Sequence, residues 1–332
     1  MPTANSVSLA RLAGLIRSAT RLLAFCHVNP DGDAVGSLLG LGHVLDALPG
    51  RRSVHLICQD PVPEELHFLP GIERIANKAP AGFDADLVVC VDASDPARLG
   101  KVFAELDVLP QTPVVVIDHH VTNLHFGAHN YVAPESASTS QLIVSLADEL
   151  GLELTQALAF PLMVGLVTDT LGFRTSNVTS AELSCGVRLM DAGVDLADIA
   201  QRTLLCKPLN QMRLWGEAFV KAVLVDGVVW VEVTGEMRRR AGILDEDDGG
   251  LVSQLIMAAE ARVAAVFNEL KDGRIEVDLR ARPPHDVATV ALSLGGGGHP
   301  QASGCILAGP LSAARERVLP LLFGAAVRQP AS

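Results

Sequence analysis

"LLAFCHVNPDGDAVGS", residues 22–37, is the stretch on which the reading of the chain turns. Leu22, Leu23, Ala24, Phe25 and Cys26 have the length and composition of a buried strand. Charge follows at once: His27, Asp31 and Asp33 lie close together, ahead of Gly36 and Ser37. A turn accounts for Asn29, Pro30, Asp31 and Gly32, all turn-forming types. It accounts for neither His27 nor Asp33.

The pattern recurs. "VHLIC" (54–58), "DLVVCVD" (86–92) and "VVVIDHH" (114–120) are short runs rich in Val and Ile. Several are separated by spacers long enough for crossover helices, which predicts a parallel sheet buried on both faces. "TQALAFPLMVGLVTDT" (155–170) reads as a buried helix, although Pro161 counts against it unless it marks a helix start or a kink. Helical segments joined by "DAGVD" and "CKPLN" read as a connector. From about residue 218 the rhythm changes. "FVKAVLVDGVVWVEVTG" predicts a hairpin turning at Asp226-Gly227, and a second strand pair turns around Lys271-Asp272-Gly273. "GGGGHPQASG" (295–304) follows, then a last helix, while the acidic "DEDDGG" (245–250) reads as a solvated loop. The expected fold class is α/β: a parallel-sheet domain over 1–190, a helical connector over 191–217, and a smaller α+β domain over 218–332.

Composition excludes several functions. The net charge is −12, from 26 Lys+Arg against 38 Asp+Glu, which opposes a general grip on long nucleic acid. Aromatic residues make up 4%, too few for a base-stacking platform. The six cysteines form no C-x-x-C pair and read as reduced core residues of a cytoplasmic protein. Arg11, Arg17 and Arg21 interrupt the apolar N-terminal residues, which argues against a signal peptide, and no apolar run is long enough to span a bilayer.

Three of the four predicted strands end in metal-ligand chemistry: His27, Asp31 and Asp33; Asp92; and Asp118, His119 and His120. Asp169, in "VTDT", is a further candidate. In open α/β sheets ligands collect beyond the carboxyl ends of the strands, so these side chains are expected to share one crevice. Taken singly, each Asp is explained by a turn or a helix cap, and His27 by a structural role. Taken together, that many acids in one crevice demand a cation, because neighbouring carboxylates resist joint ionisation.

"HVNPDGDAVGS", Asp92, "DHH" (118–120) and "TDT" (168–170) resemble the four motifs of the DHH phosphoesterase superfamily, which includes RecJ-type exonucleases and manganese pyrophosphatases. "VDLRAR" (277–282) with "GGGGHPQASG" resembles the DHH-associated domain of its nuclease branch. The nearest pattern is the nanoRNase type, a bifunctional oligoribonuclease and pAp phosphatase. Cyclic-di-AMP and pApA phosphodiesterases share the layout and remain an alternative; a non-catalytic nucleotide sensor is a third reading. The resemblance implies two Mn²⁺ ions, one held by His27, Asp31 and Asp92, the other by Asp33, Asp92, His119 and Asp169. Carboxylates with a few imidazoles suit Mn²⁺. Two such ions can share a hydroxide and aim it at phosphorus.

The resemblance places Asp118 behind the site, fixing a ligand ring, and turns His120 toward substrate; a ring buried behind the site is the alternative for His120. Gly296, Gly297, Gly298 and His299, with Arg280, read either as a cradle for the substrate's far phosphate or, for the glycines, as a plain flexible loop. Arg174 and Arg282 are helpers or structural charges, and "SASTSQ" (136–141) reads as a helix start. The implied partners are short RNA or DNA oligonucleotides, pAp or a cyclic dinucleotide, with a homodimer implied by the family and no membrane.

Overall fold

The computed structural model describes residues 5–106, 111–244, 246 and 248–327. The chain divides into two compact units, Met1–Cys206 and Lys207–Ser332. In the first, β1 (Arg21–Phe25), β2 (Ser53–Ile57), β3 (Ile75–Ala76), β4 (Leu87–Val91), β5 (Val114–Asp118) and β6 (His129–Val132) form one parallel sheet. Its order is β3-β2-β1-β4-β5-β6. The predicted parallel sheet is therefore present. Its edge strands β3 and β6 escape the sequence analysis: one has two residues, and the other carries the polar His129 and Asn130.

Alternation along β1 explains why the sheet needs cover on both faces. Leu22 and Ala24 enter one apolar core, Leu23 and Phe25 another. Phe25 meets Phe103 edge to face, with ring centroids 5.5 Å apart. Each fully buried Leu contributes about 1.5–3 kcal/mol.

The strand order reverses between β1 and β4, the kind of switch point at which such sheets bind ligands. Phe25 is in register with Cys90, and Val91 with Ile117. Counting on from those pairs, His27, Asp92 and Asp118 stand level with one another at the ends of their strands.

The helix Gly32–Ala47 begins at Asp31, whose carboxylate accepts the N–H groups of Asp33 and Ala34 at 3.1 and 3.0 Å. It is buried over most of its circumference, so its neighbours must come close. Gly32, Gly36 and Gly40, spaced by four, lie on one face. A Cβ there would collide with Thr168, with the carbonyl of Pro161 and with Leu162 respectively. These three belong to the helix Gln156–Asp169, which starts at Thr155 and runs on through Pro161. Pro161 removes one N–H, and the Ala157 carbonyl that would take it lies on an exposed turn, open to water. The bare glycine face lets the two helices close, and that closure carries Asp33 toward Asp169.

The second unit holds β7 (Val223–Val225), β8 (Val228–Val233), β9 (Val263–Glu269), β10 (Arg274–Ala281), β11 (Gly297–His299) and β12 (Ala302–Ala308). Their order is β11-β12-β10-β9-β8-β7, antiparallel except for β8 with β9. Both expected hairpins are present. Asp226 and Gly227 are left-handed, at φ 48° and 80°, as a two-residue turn with positive φ at both centres requires. Val194 and Ile199 pack into the first unit's core, and Leu214 and Ala218 into the second's.

Two expectations are corrected. The glycine run is not simply a loop, because Gly297–His299 forms the edge strand β11 against β12. Gly298, at φ 134°, has no room for a Cβ, which would stand 2.5 Å from the Ala302 carbonyl oxygen. The acidic run is not wholly solvated either. Asp245 and Asp247 lie outside the described residues, but Asp248 is buried. Its carboxylate accepts from Gly250 N–H at 2.9 Å, Leu251 N–H at 3.1 Å and Asn268 Nδ2 at 2.9 Å, and its carbonyl from Trp215 Nε1 at 2.7 Å.

All six cysteines are free; Cys206 is exposed and the other five are buried. Among the described residues no helix is long and apolar enough to cross a membrane.

The glycine face makes a prediction of opposite signs. Gly36→Ala forces its Cβ into the Pro161 carbonyl and should destabilise the protein by about 1–3 kcal/mol. Gly14→Ala, in the helix Leu9–Ser18 with open space around its Cα, should stabilise it by about 0.4–1 kcal/mol. Urea midpoints of the two variants test this; equal shifts would mean that the helix approach is not tight.

Candidate metal centre

His27 follows β1 and is buried. Its Nδ1 lies 2.8 Å from the carbonyl oxygen of Val28, which can only accept, so Nδ1 carries a proton and Nε2 is the nitrogen turned to the crevice. Nε2 is 3.8 Å from Asp31 Oδ1 and 3.6 Å from Asp92 Oδ2. His119 repeats the arrangement. Its Nδ1 is 3.2 Å from the Ser136 carbonyl, and its Nε2 is 3.6 Å from Asp92 Oδ1 and 3.5 Å from Asp169 Oδ2.

Asp92 therefore presents one oxygen to each histidine. It is left-handed, at φ 56°, a conformation that costs a non-glycine residue roughly 1–3 kcal/mol. Its N–H donates to the Ile117 carbonyl at 3.0 Å, and Thr139 Oγ1 donates to its Oδ1 at 2.8 Å. These bonds hold the carboxylate between the two rings.

Asp33 is 1% exposed and sits at the start of the helix Thr139–Glu149. The N–H groups of Thr139 and Ser140 donate to its two oxygens at 2.6 and 2.9 Å, and Ser37 Oγ to one of them at 3.2 Å. The helix start read in "SASTSQ" is present, and it serves as an anchor for a carboxylate.

Asp118 is fully buried. It accepts His119 N–H at 2.9 Å and Asn123 Nδ2 at 2.5 Å, and lies 2.7 Å from His120 Nδ1. The ring that Asp118 holds is that of His120, while those of His27 and His119 bond backbone carbonyls. His120 Nδ1 also lies 3.7 Å from Asp92 Oδ1. Engaged with Asp118, that nitrogen carries a proton and offers no lone pair.

Burial pushes the Asp33 carboxyl up to about 7, with the charge of Asp92 adding to the effect. Burial also raises Asp169, aided by Asp33 and Asp92. Burial would raise Asp92 as well, but the imidazole of His27 and the positive charges of His120 and His119 outweigh it and hold Asp92 well below the usual range. For His27 burial works downward, yet Asp31 and Asp92 carry it up to about 10. His119 and His120 are raised against burial too, by Asp92 and by Asp118 respectively. Without a cation the crevice collects protons to offset its own carboxylates.

Within this crevice His27, Asp31 and Asp92 bring ligand atoms within 4.8 Å of one another, and so do Asp33, His119 and Asp169. Asp92, His119 and His120 form a third such group, which the engaged His120 nitrogen disfavours as a donor set. The donor chemistry of these carboxylates and imidazoles fits a divalent cation. Thr139, Ser140, Ser37 and Asn123 are the residues sequence reasoning missed.

In the second unit the register sets His299 opposite Ala302 and Ala302 opposite Arg280. The next row is Gly297, Gly304 and Asp278. Arg280 Nη1 donates to the Leu279 carbonyl at 3.0 Å, and among the described residues no carboxylate lies within 4 Å of its guanidinium. Arg282 donates to the carbonyls of Ile256 and Ala258 at 3.0 and 3.1 Å, and the exposed Arg174 donates through Nε to that of Leu171 at 2.6 Å.

The family described as "DHH family, N-terminal domain" matches residues 21–166. A bifunctional oligoribonuclease and PAP phosphatase NrnA from Thermus thermophilus is 37% identical over 297 residues, 88% of this chain and 86% of that protein. An exopolyphosphatase-related protein from Bacteroides fragilis superposes with a TM-score of 0.88 at 23% identity, covering 96% of this chain and 97% of that one. RecJ from Thermus thermophilus, in complex with Mn²⁺, has a TM-score of 0.59 at 17% identity, covering 99% of this chain and 56% of its own. The structural likenesses establish the fold. Because the matched segment contains the β1, β4 and β5 ends that build the crevice, and the similarity to the Thermus thermophilus relative runs through both units, the chain belongs to the DHH family.

Proposed function

We propose that this protein is a Mn²⁺-dependent phosphoric ester hydrolase that cuts very short oligoribonucleotides to mononucleotides and pAp to AMP, in a cytoplasmic setting. The observation that carries the reading is Asp92, which turns one oxygen to His27 and the other to His119. A bridging carboxylate between two ligand sets is what a two-cation phosphoryl site needs. The name of the Thermus thermophilus relative, which states both activities, supports the same substrates.

His27, Asp31 and Asp92 would hold one ion; Asp33, Asp92, His119 and Asp169 the other. When bound, a pair of Mn²⁺ ions supplies an attacking water at neutral pH and neutralises charge developing on phosphate. The chain's own groups do the rest. The Val28 and Ser136 carbonyls fix the ligand rings. Asp118 and Asn123 hold His120, whose raised affinity for a proton suits it to stabilise charge on substrate oxygens. Arg280, half-buried and, among the described residues, with no carboxylate within 4 Å of its guanidinium, suits a phosphate, which its fork can grip in bidentate fashion. Product analysis with Mn²⁺ across pAp, dinucleotides and cyclic-di-AMP tests the reading. Turnover of pAp and dinucleotides is expected; cleavage of cyclic-di-AMP alone would overturn it.

Asp92→Ala should abolish turnover and weaken binding of both ions, since it removes the shared ligand and leaves the cations unbalanced. Elemental analysis of the folded variant decides: two tightly bound Mn²⁺ ions would remove Asp92 from the bridging role.

Proton linkage gives a second expectation. His27 is raised to about 10 and Asp33 to about 7, so at neutral pH the crevice holds protons that cations must displace. As pH rises through 7, Asp33 loses its proton before the metal arrives and the cost of displacement falls. Mn²⁺ affinity should therefore increase from pH 6 to pH 8, and calorimetry in buffers of different ionisation enthalpy should register proton release. Binding with no proton release at pH 7 would contradict the charge balance described.

A further inference from the structure

On β10 the side chains of Glu276, Asp278 and Arg280 share one face, because alternate residues of a strand do. The floor around Asp278 and Arg280 is bare: Ala302 lies opposite Arg280, Gly304 opposite Asp278, and Gly297 beyond Gly304. A Cβ on Gly304 would stand 3.6 Å from Asp278 Oδ1, so any larger residue there would cover that oxygen. A Cβ on Gly297 would meet open space. Toward β12 this face opens to solvent, with Ala302 and Gly304 half-buried and Ile306 exposed.

Asp278 is fixed from behind. Asn268, 1% exposed, donates through Nδ2 to Asp278 Oδ2 at 3.0 Å and to Asp248 at 2.9 Å, while its Oδ1 accepts from Arg238 at 2.9 Å. One oxygen of Asp278 is tied into the fold, and the other lies beside the bare glycine. An acceptor is thus held one strand repeat from a guanidinium that feels the charge of Asp278 and Asp248 but, among the described residues, closes no ion pair within 4 Å. That pairing suits a ligand carrying an anion and, a few ångströms away, a hydrogen-bond donor.

The inference rests on the function proposed above. In pAp, and in the 5′-phosphorylated end of a dinucleotide, the nucleotide between two phosphates has both its 3′ and 5′ oxygens esterified. Its one free sugar hydroxyl is the 2′-hydroxyl. We propose that Asp278 accepts a hydrogen bond from the ribose 2′-hydroxyl of the nucleotide whose phosphate Arg280 holds, and so makes the enzyme selective for ribonucleotides. Burial raises the Asp278 carboxyl to about 7, with Asp248 and Glu276 adding to the effect, which lessens its repulsion of the neighbouring phosphate.

The test compares kcat/KM for a 5′-phosphorylated diribonucleotide with its 2′-deoxy and 2′-fluoro analogues, in the presence of Mn²⁺. The wild-type protein should favour the ribonucleotide by about ten- to a hundredfold, since a site built for a hydroxyl is left unpaired without it. The 2′-fluoro analogue, which cannot donate, should behave as the deoxy compound does. Asp278→Ala should bring the ribonucleotide down to the deoxy level, whereas Arg280→Ala should lower all three alike. Equal wild-type rates on ribose and deoxyribose, or a 2′-fluoro analogue as good as the ribonucleotide, would overturn the assignment without any variant. An equal loss on all three in Asp278→Ala would reduce Asp278 to a structural role. Failure of the underlying function is distinguishable, because none of the three would then be cut.

Discussion

Asp33 and Asp92 are 1% and 2% exposed, and among the described residues neither has a Lys or Arg within 4 Å. Burying two carboxylates in one crevice, with Asp31 and Asp169 at its rim, is costly unless opposite charge or hydrogen bonds compensate. The fold supplies part of the compensation. A helix N-terminus takes Asp33, Thr139 and two imidazoles take Asp92, and three donors take Asp118. What those bonds leave is negative charge, and histidines with raised proton affinity offset it where no cation is bound. The attraction of the crevice for positive charge is thus a property of the packed carboxylates, independent of any likeness to other proteins.

That crowding depends on backbone geometry far from charge. The helix Gly32–Ala47 carries Asp33 in its first turn and must lie against the helix that ends in Asp169. Gly32, Gly36 and Gly40 make the approach, and Gly165 does so from the other side, where a Cβ would run into Ser140 and Asp33. Side chains at these positions would separate the ligands before they touched any metal. The sheet contributes the other half, since the register of β1, β4 and β5 sets His27, Asp92 and Asp118 level.

The parts legible in the sequence are those governed by local pattern. Buried parallel strands are continuous apolar runs, and their ends announced His27, Asp92 and the 118–120 cluster. The Asp226-Gly227 turn was legible because positive φ at both centres restricts the residue types. Residues whose role lies in tertiary contact were not legible. Thr139 and Ser140 reach Asp33 across more than a hundred positions, and locally they look like any helix start. Asp248 was misread because an acidic run is usually solvated, and only the fold brings Asn268 to it. The glycine run was split by β12: Gly298 serves the close pairing of β11, while Gly297 lies open on the face that Arg280 and Asp278 share.

The central claim is that one buried carboxylate, Asp92, stands between two cation sites with different partners. Anomalous diffraction from crystals soaked in Mn²⁺, at the manganese edge, tests it most directly. The account predicts two peaks about 3.5–4 Å apart. One should be ligated by His27 and Asp31, the other by Asp33, His119 and Asp169, with an oxygen of Asp92 on each. A single peak, or an ion ligated by Nδ1 of His120 in place of His119, would contradict it.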